Sequence, residues 1–133
     1  MIIHHSASPI EWTSVYDINR WHKNRGFRES RKGYNVGYHY VIERKRTIKC
    51  REEDEEGAHT IGGNNQIGVC LTGNFEHDIP TFYQMFSLFK IMLSVDEEIT
   101  MHKDHANTKC PGKNLIEKVN MLINLKRLIN LRK

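Results

Sequence analysis

Gln66-Ile67-Gly68-Val69-Cys70-Leu71 is an almost continuous apolar run near the middle of this 133-residue sequence. Gly62-Gly63-Asn64-Asn65, directly before it, is a turn signal. A short apolar run that follows such a turn is typical of a strand buried on both faces. We therefore predict the central strand of a sheet at residues 66–71.

Two further regions have the character of strands. The apolar start of Met1–Ser8 predicts a short buried strand that ends at the His4-His5 pair. Gly37–Glu43 alternates and is rich in aromatic and β-branched residues, and Thr47–Arg51 can pair with it across a short turn. The sequence therefore predicts a hairpin beside the central strand.

Three segments have helical periodicity. Residues 14–25 have apolar positions at helical spacing, and Gly26 is a natural terminator. Residues 81–95 predict an amphipathic helix that begins with a proline-first turn after Pro80, and a third helix follows Pro111-Gly112. Strands interleaved with helices predict an α/β domain with a mostly buried sheet. The side chains expected to pack in the core are Phe82, Met85, Phe86, Phe89, Met92 and Leu93 in the second helix and Leu115, Ile116, Val119, Leu122 and Ile123 in the third.

Length and composition fit one domain that folds without disulfide staples. No stretch approaches the roughly 20 apolar residues of a membrane span. Met1–His5 lacks the features of a secretory signal, so we expect synthesis in a cytoplasm. The three cysteines are an odd number at wide spacing, which leaves at least one thiol free. Cys50 and Cys70 have the character of small buried strand residues, whereas Cys110 lies in a loop-like segment.

Positive charge is concentrated at the C-terminus. The net charge is +4, but residues 113–133 contain six Lys or Arg and one Glu, so the rest of the chain is slightly acidic. We therefore expect no nucleic-acid partner. The acidic run at residues 52–56 predicts a solvated loop. Residues 124–133 are either a packed terminal helix or a cationic amphipathic segment in weak contact with anionic membrane or wall polymers.

Side chains that can bind a metal ion occur at two places. His102 and Cys110 lie eight residues apart in a loop-like segment, and His4 ends the first strand. A catalytic zinc ion takes three protein ligands and leaves its fourth position open. Adjacent side chains of a strand face opposite ways, so we expect His5 to be structural. Eight histidines allow other combinations, and spacing alone therefore indicates a zinc site without fixing its ligands.

Six motifs in a fixed order extend this interpretation. They are Ile3-His4-His5-Ser6-Ala7, Trp21-His22 with Gly26-Phe27, Gly37–Ile42, Gly57-Ala58-His59, Asn65–Leu71, and His102 with Cys110-Pro111-Gly112. In that order they resemble the zinc-dependent N-acetylmuramoyl-L-alanine amidases, which comprise phage amidase-type lysozymes and peptidoglycan recognition proteins. The resemblance covers about residues 1–118, and residues 119–133 are then expected to be a basic amphipathic helix that extends the same domain.

The resemblance implies a fold and a metal site. The expected fold is a single α/β domain whose central mixed β-sheet is flanked by helices. Zn²⁺ is expected at one end of a groove for the glycan-linked stem peptide of peptidoglycan, with His4, His102 and Cys110 as ligands.

The same resemblance implies roles for four more residues. Tyr38 matches the catalytic tyrosine of the family. Thr108 falls where phage members carry lysine and catalytic recognition proteins carry threonine, and a threonine brings no positive charge to the oxyanion. His59 and Asn65 match groove positions that contact substrate, while His105 is expected to be exposed to solvent.

The activity implied is hydrolysis of the amide between N-acetylmuramic acid and L-alanine, by a monomeric phage endolysin that a separate pore protein releases to the wall. A non-catalytic peptidoglycan-binding module is the first alternative, and relatives of that kind lack the zinc cysteine. A structural zinc closed by His5 or His105 is the second. A cytoplasmic muropeptide-recycling amidase is the third, and such relatives carry aspartate where Cys110 stands.

Overall fold

A five-stranded mixed sheet forms the centre of the computed structural model, which describes residues 1–132. β3 pairs with β2 in the antiparallel direction, and all other neighbours are parallel. The predicted mixed sheet and the central position of β4 are therefore confirmed. The strands are β1 (Ile2–His5), β2 (Tyr40–Ile42), β3 (Thr47–Lys49), β4 (Gly68–Leu71) and β5 (Thr100–Met101), in the order β3-β2-β4-β1-β5.

Two of the three helices begin at capping boxes. Ser14 and Asp17 cap the first helix, and Thr81 and Gln84 cap the second, each pair exchanging side-chain and backbone hydrogen bonds. Pro80 precedes the cap and lies outside the first turn, so the predicted proline-first start is wrong. The helices are α1 (Val15–Asn24), α2 (Phe82–Ser94) and α3 (Lys113–Leu131).

Helices pack on both faces of the sheet. Alternating strand residues face opposite sides, which divides the buried apolar residues into two clusters. The larger cluster joins β1 and β4 to α2 and α3, and includes Ile3, Val69, Leu71, Leu88, Met92, Leu115 and Val119. The smaller cluster joins the other face to α1, and includes Val15, Ile18, Val41, Cys50 and Cys70. Cys50 and Cys70 are buried free thiols, as predicted.

The face of α2 that packs on the sheet differs in part from the predicted one. Phe82, Phe86 and Leu93 are 87%, 57% and 41% exposed, so their predicted core role is wrong. Met92 is completely buried, as predicted, and Leu88 is completely buried although it was not predicted to be. Met85 and Phe89 are partly buried against the same core. When most residues of a helix are apolar, spacings of three and four residues fit more than one stripe along its surface. The stripe of α2 that contacts the sheet is displaced by one residue from the predicted stripe.

The C-terminal half of α3 packs against the end of α2. Lys126 Nζ donates hydrogen bonds to the carbonyl oxygens of Met92 at 2.7 Å and Val95 at 2.9 Å. α3 runs without interruption through the boundary expected at residue 118, and Lys133 lies outside the described residues. In the same half of the helix Leu125, Leu128 and Leu131 face solvent. None of the described helices has the length and apolar character needed to cross a bilayer.

The acidic run at residues 52–56 forms a solvated loop, as predicted. Its carboxylates pair with basic side chains nearby: Arg31 pairs with Asp54 and with Glu55, and Lys49 at the end of β3 pairs with Glu52 at 3.0 Å. Exposed pairs of this kind contribute little to stability.

Candidate active site

Three potential metal ligands converge at the C-terminal ends of β1 and β5. His4 lies in β1, His102 begins the 3₁₀ turn His102–Asp104 that follows β5, and Cys110 precedes α3. His4 Nδ1 lies 4.0 Å from Cys110 Sγ, and the ring centroids of His4 and His102 are 4.6 Å apart. One donor atom from each residue lies within 4.8 Å of the other two. The structure therefore brings together the three residues expected to hold the metal.

The loop from His102 to Gly112 is closed by backbone contacts. The Lys103 N–H donates to the Cys110 carbonyl at 2.9 Å. Gly112 has a φ of +95°, and a Cβ there would lie 2.5 Å from the backbone carbonyl carbon of Phe75. Only glycine permits that conformation and that close approach. The position of Cys110 thus depends on a loop that is fixed at both ends.

The donor set fits zinc. Zinc bonds of about 2.3 Å to sulfur and about 2.0–2.1 Å to nitrogen, in a tetrahedron, place the two donors roughly 3.5 Å apart. The 4.0 Å between His4 Nδ1 and Cys110 Sγ is within about half an ångström of that value. Burial lowers the pKa of His4 well below its usual value and raises that of Cys110 to about 11. A cation must therefore displace the thiol proton, and metal affinity should rise with pH.

The two other candidate ligands are engaged elsewhere. His5 Nδ1 accepts a hydrogen bond from the Phe75 N–H at 3.1 Å, and the two rings stack. Burial lowers the pKa of His5 to about 4, as expected for a neutral structural histidine. His105 is exposed, and its Nε2 lies 2.8 Å from Thr100 Oγ1. Within residues 1–132 the donor set therefore has three members, which leaves a position for water or substrate.

The donors line a cavity of about 560 Å³. Asn65 is exposed and is not among its described lining residues, whereas Asn64 is. Sequence reasoning did not single out Asn64, Arg25 or the 99%-exposed Ile61, because no local pattern marks them. No Asp or Glu of the described residues lines the cavity. The other lining residues include His22, Phe27, Tyr38, Ala58, His59, Thr60 and Thr108.

Tyr38 and Thr108, which both carry hydroxyl groups, line the cavity that the donors share. The Tyr38 ring centroid is 5.1 Å from that of His4. Burial, together with the nearby Cys70 and Cys110 thiols, raises the pKa of Tyr38 well above its usual value, so the phenol is a neutral hydrogen-bond donor at neutral pH. Thr108 Oγ1 accepts a hydrogen bond from the Cys110 N–H at 3.2 Å and keeps its own proton to donate.

His59 contacts His4 directly. Its Nδ1 lies 3.0 Å from His4 Nε2, and its Nε2 lies 3.0 Å from the Gln66 carbonyl oxygen. Burial lowers the pKa of His59 to about 4, so the ring is neutral at pH 7. These contacts are internal, and the substrate contact expected for His59 stays a prediction.

The chain is a single domain with a mixed sheet, helices on both faces, and three converging donors that could hold a metal ion beside a cavity. Residues 1–113 match the N-acetylmuramoyl-L-alanine amidase family, and the chain belongs to it. The chain is therefore an N-acetylmuramoyl-L-alanine amidase, as its motifs predicted.

Individual relatives agree with that assignment. The endolysin of Enterobacteria phage T3 is 32% identical over 125 residues, which cover 84% of this chain and 79% of the phage protein. The amidase LysC from Clostridium intestinale superposes with a TM-score of 0.77 at 28% identity, over 91% of this chain and 82% of LysC. The Drosophila recognition protein PGRP-LB has the same fold, with a TM-score of 0.77 at 21% identity over 90% of this chain and 78% of its own.

Proposed function

We propose that the chain hydrolyses the amide between the lactyl group of N-acetylmuramic acid and the L-alanine of the stem peptide, with one zinc ion held by His4, His102 and Cys110. The observation that carries the proposal is the convergence of these three donors at the wall of a cavity, in a group to which no other described residue adds a ligand atom. Similarity to the T3 endolysin supports a role as a phage endolysin in host lysis.

The side chains around the donors suit amide hydrolysis. A zinc ion bound there supplies Lewis-acid chemistry, which polarises a carbonyl group and makes water nucleophilic near neutral pH. Tyr38, a neutral phenol, donates a hydrogen bond to the oxygen on which negative charge develops. Thr108 supplies a second, uncharged donor. The transition state is thus stabilised by two hydroxyl groups and no lysine.

Proton transfer does not use a carboxylate. Because no described Asp or Glu lines the cavity, the proton lost by the attacking water must reach the leaving amine by another route. Tyr38, whose neutral phenol can both accept and donate a proton, is proposed to lie on that route. The amine of L-alanine then leaves protonated.

The cavity can also orient the stem peptide. Arg25 places its guanidinium 4.9 Å from the Phe27 ring centroid at the cavity wall, where it can pair with a stem-peptide carboxylate. The proposal includes substrate contacts by His59 and Asn65, and Asn64 offers a lining amide beside the latter.

The enzyme is proposed to act on the wall as a monomer, after release from the cytoplasm through a separate pore protein. The basic C-terminal helix adds weak contact with anionic membrane or wall polymers, because Arg127 and Arg132 accompany the exposed Leu125 and Leu128. An R127E/R132E variant should sediment less with purified walls at low salt and keep its turnover on soluble muropeptide. Unchanged sedimentation would contradict the proposed contact between the C-terminal helix and anionic polymers.

Mass spectrometry of digested peptidoglycan tests the proposed reaction. The zinc-loaded chain should release stem peptides with a free L-alanine amine and leave glycans with intact lactyl groups. A chelator or Cys110→Ser should abolish these products. Cys50→Ser, which changes a buried thiol outside the cavity, should retain them.

Two results would overturn the proposal. Wall binding without new products would make the chain a binding module. Products that persist with the chelator and in Cys110→Ser would show that the three donors are not needed.

A further inference from the structure

We propose that His59 is a positioning residue: it fixes the tautomer and ring orientation of His4 so that Nδ1, and not Nε2, is presented to the metal. The inference rests on the proposed function only in taking the His4, His102 and Cys110 centre to bind zinc. It adds a role for His59 that does not require contact with substrate.

The hydrogen bonds around His59 set its own tautomer. The Gln66 carbonyl oxygen can only accept, so the proton of the His59 ring lies on Nε2, 3.0 Å away. Nδ1 of the neutral ring is then an acceptor, and it faces His4 Nε2 at 3.0 Å. Two unprotonated nitrogens would repel at that distance, so His4 carries its proton on Nε2. The Thr60 hydroxyl, 3.0 Å from His59 Nδ1 and 3.2 Å from His4 Nε2, is compatible with this arrangement, because it can donate to the former and accept from the latter. The lone pair of His4 is thereby placed on Nδ1, which faces Cys110 Sγ.

The backbone around His59 is built to hold this ring. Asn64 Oδ1 accepts hydrogen bonds from the N–H groups of His59 at 2.7 Å and Thr60 at 2.8 Å. The Gly57 N–H donates to the Asn64 carbonyl at 2.9 Å. Asn64 therefore holds the loop that carries His59 at three points, and the Ala58 N–H adds a bond to the Gly37 carbonyl at 2.9 Å.

Two glycines leave space for the imidazole. A Cβ at Gly68 would lie 2.5 Å from His59 Cδ2, and a Cβ at Gly57 would lie 2.6 Å from the same atom. The three atoms nearest to the Gly68 position all belong to the His59 ring. A methyl group at residue 68 would therefore clash with the His59 ring first, so Gly68→Ala is a second way to displace that ring.

Zinc affinity measures this role without relying on turnover. Outer-shell partners of a metal-ligating histidine typically change metal affinity 10- to 100-fold, so His59→Ala should weaken Zn²⁺ binding by about that factor. His59→Gln should recover most of the loss, because an amide oxygen can accept the same hydrogen bond from His4. His105→Ala, which removes an exposed histidine bonded to Thr100, should leave the affinity within about twofold.

The glycine provides a double-mutant cycle. Gly68→Ala should weaken Zn²⁺ binding in the wild-type background and have little further effect in the His59→Ala background, since the ring that it displaces is absent. ¹⁵N NMR of the zinc-loaded wild type should show His4 protonated on Nε2.

Five results decide whether His59 positions His4. Zn²⁺ affinity in His59→Ala equal to that of the wild type, additive losses in the cycle, or a His4 proton on Nδ1 would each overturn the inference. A chain that shows the expected zinc dependence but cuts no amide would support the positioning role and overturn the proposed function. An active amidase whose zinc affinity is unchanged in His59→Ala would support the proposed function and overturn the positioning role.

Discussion

Lys126→Met removes the ammonium group that joins the C-terminal half of α3 to the end of α2. Its Nζ donates to the carbonyl oxygens of Met92 and Val95, and α2 has no basic residue in its own last turn. Two hydrogen bonds from a charged donor contribute about 1.5 kcal/mol each, and a cation at a helix C-terminus adds about 0.5 kcal/mol. The freed side chain regains roughly 1.5 kcal/mol of rotamer entropy. Because methionine keeps the apolar stem, the free energy of unfolding should fall by about 2 kcal/mol, combining these contributions.

Urea unfolding followed by circular dichroism measures this loss, and the melting temperature should fall by roughly 6–8 °C. Arg127→Ala is the matched control, because Arg127 contacts Asn124 of its own helix at 3.4 Å. That variant should stay within about 0.5 kcal/mol of the wild type. If Lys126→Met proved as stable as the control, the C-terminal half of α3 would not be docked on α2, and the reasoning would be refuted.

Three further predictions concern the site and its supports. Tyr38→Phe should lower kcat by about 10²- to 10³-fold with zinc affinity unchanged, because the lost hydroxyl group acts on the oxyanion; a parallel loss of zinc affinity in titrations would contradict that role. Gly112→Ala should weaken zinc binding and lower the melting temperature, because its Cβ would meet the Phe75 backbone at 2.5 Å, and normal zinc affinity would show that the loop can move freely. His22 is buried and has a pKa of about 4 against an ordinary 6.5, so its contribution is complete above pH 6.5 and is lost as pH falls towards 4. In metal-free protein His22→Gln should reduce the slope of unfolding free energy against pH across that window by about 1 kcal/mol per unit, and equal slopes for both proteins would disprove it.

The opposite orientation of the His4 and His5 side chains could be predicted from local chemistry. Neighbouring side chains of a strand face opposite ways, so one histidine could reach the metal and the other could not. The structure confirms the separation, since His5 bonds to the Phe75 backbone on the other face of the sheet. The predicted boundaries of the first two helices, residues 14–25 and 81–95, lie within one residue of the observed ones, although the second helix is capped by Thr81 and does not begin with a proline.

Contacts between distant segments could not be predicted in the same way. The pairing of His59 with His4 spans 55 residues and is set by the loop that Asn64 holds, for which no periodic pattern exists. β5 has two residues, too few for any alternation, and it forms because β1 offers a parallel neighbour. The placement of Asn64 rather than Asn65 in the cavity wall follows from that same loop.

The choice of face on α2 shows a further limit. Its apolar residues cover most of the helix, so the sequence permits several buried stripes. The stripe through Leu88 and Met92 is buried, because Gln84 anchors the helix to the sheet through hydrogen bonds to the carbonyl oxygens of Ile42 and Thr72. A polar residue thus fixes the orientation of a largely apolar helix.

X-ray absorption at the zinc edge, on chain loaded with one equivalent of Zn²⁺, tests the proposed metal centre most directly. His4, His102 and Cys110 with an open fourth position predict one sulfur at about 2.3 Å and nitrogen or oxygen ligands at about 2.0–2.1 Å. The sulfur contribution should disappear in Cys110→Ser and persist in Cys50→Ser. A spectrum without sulfur, or with two sulfur ligands, would contradict the proposed site.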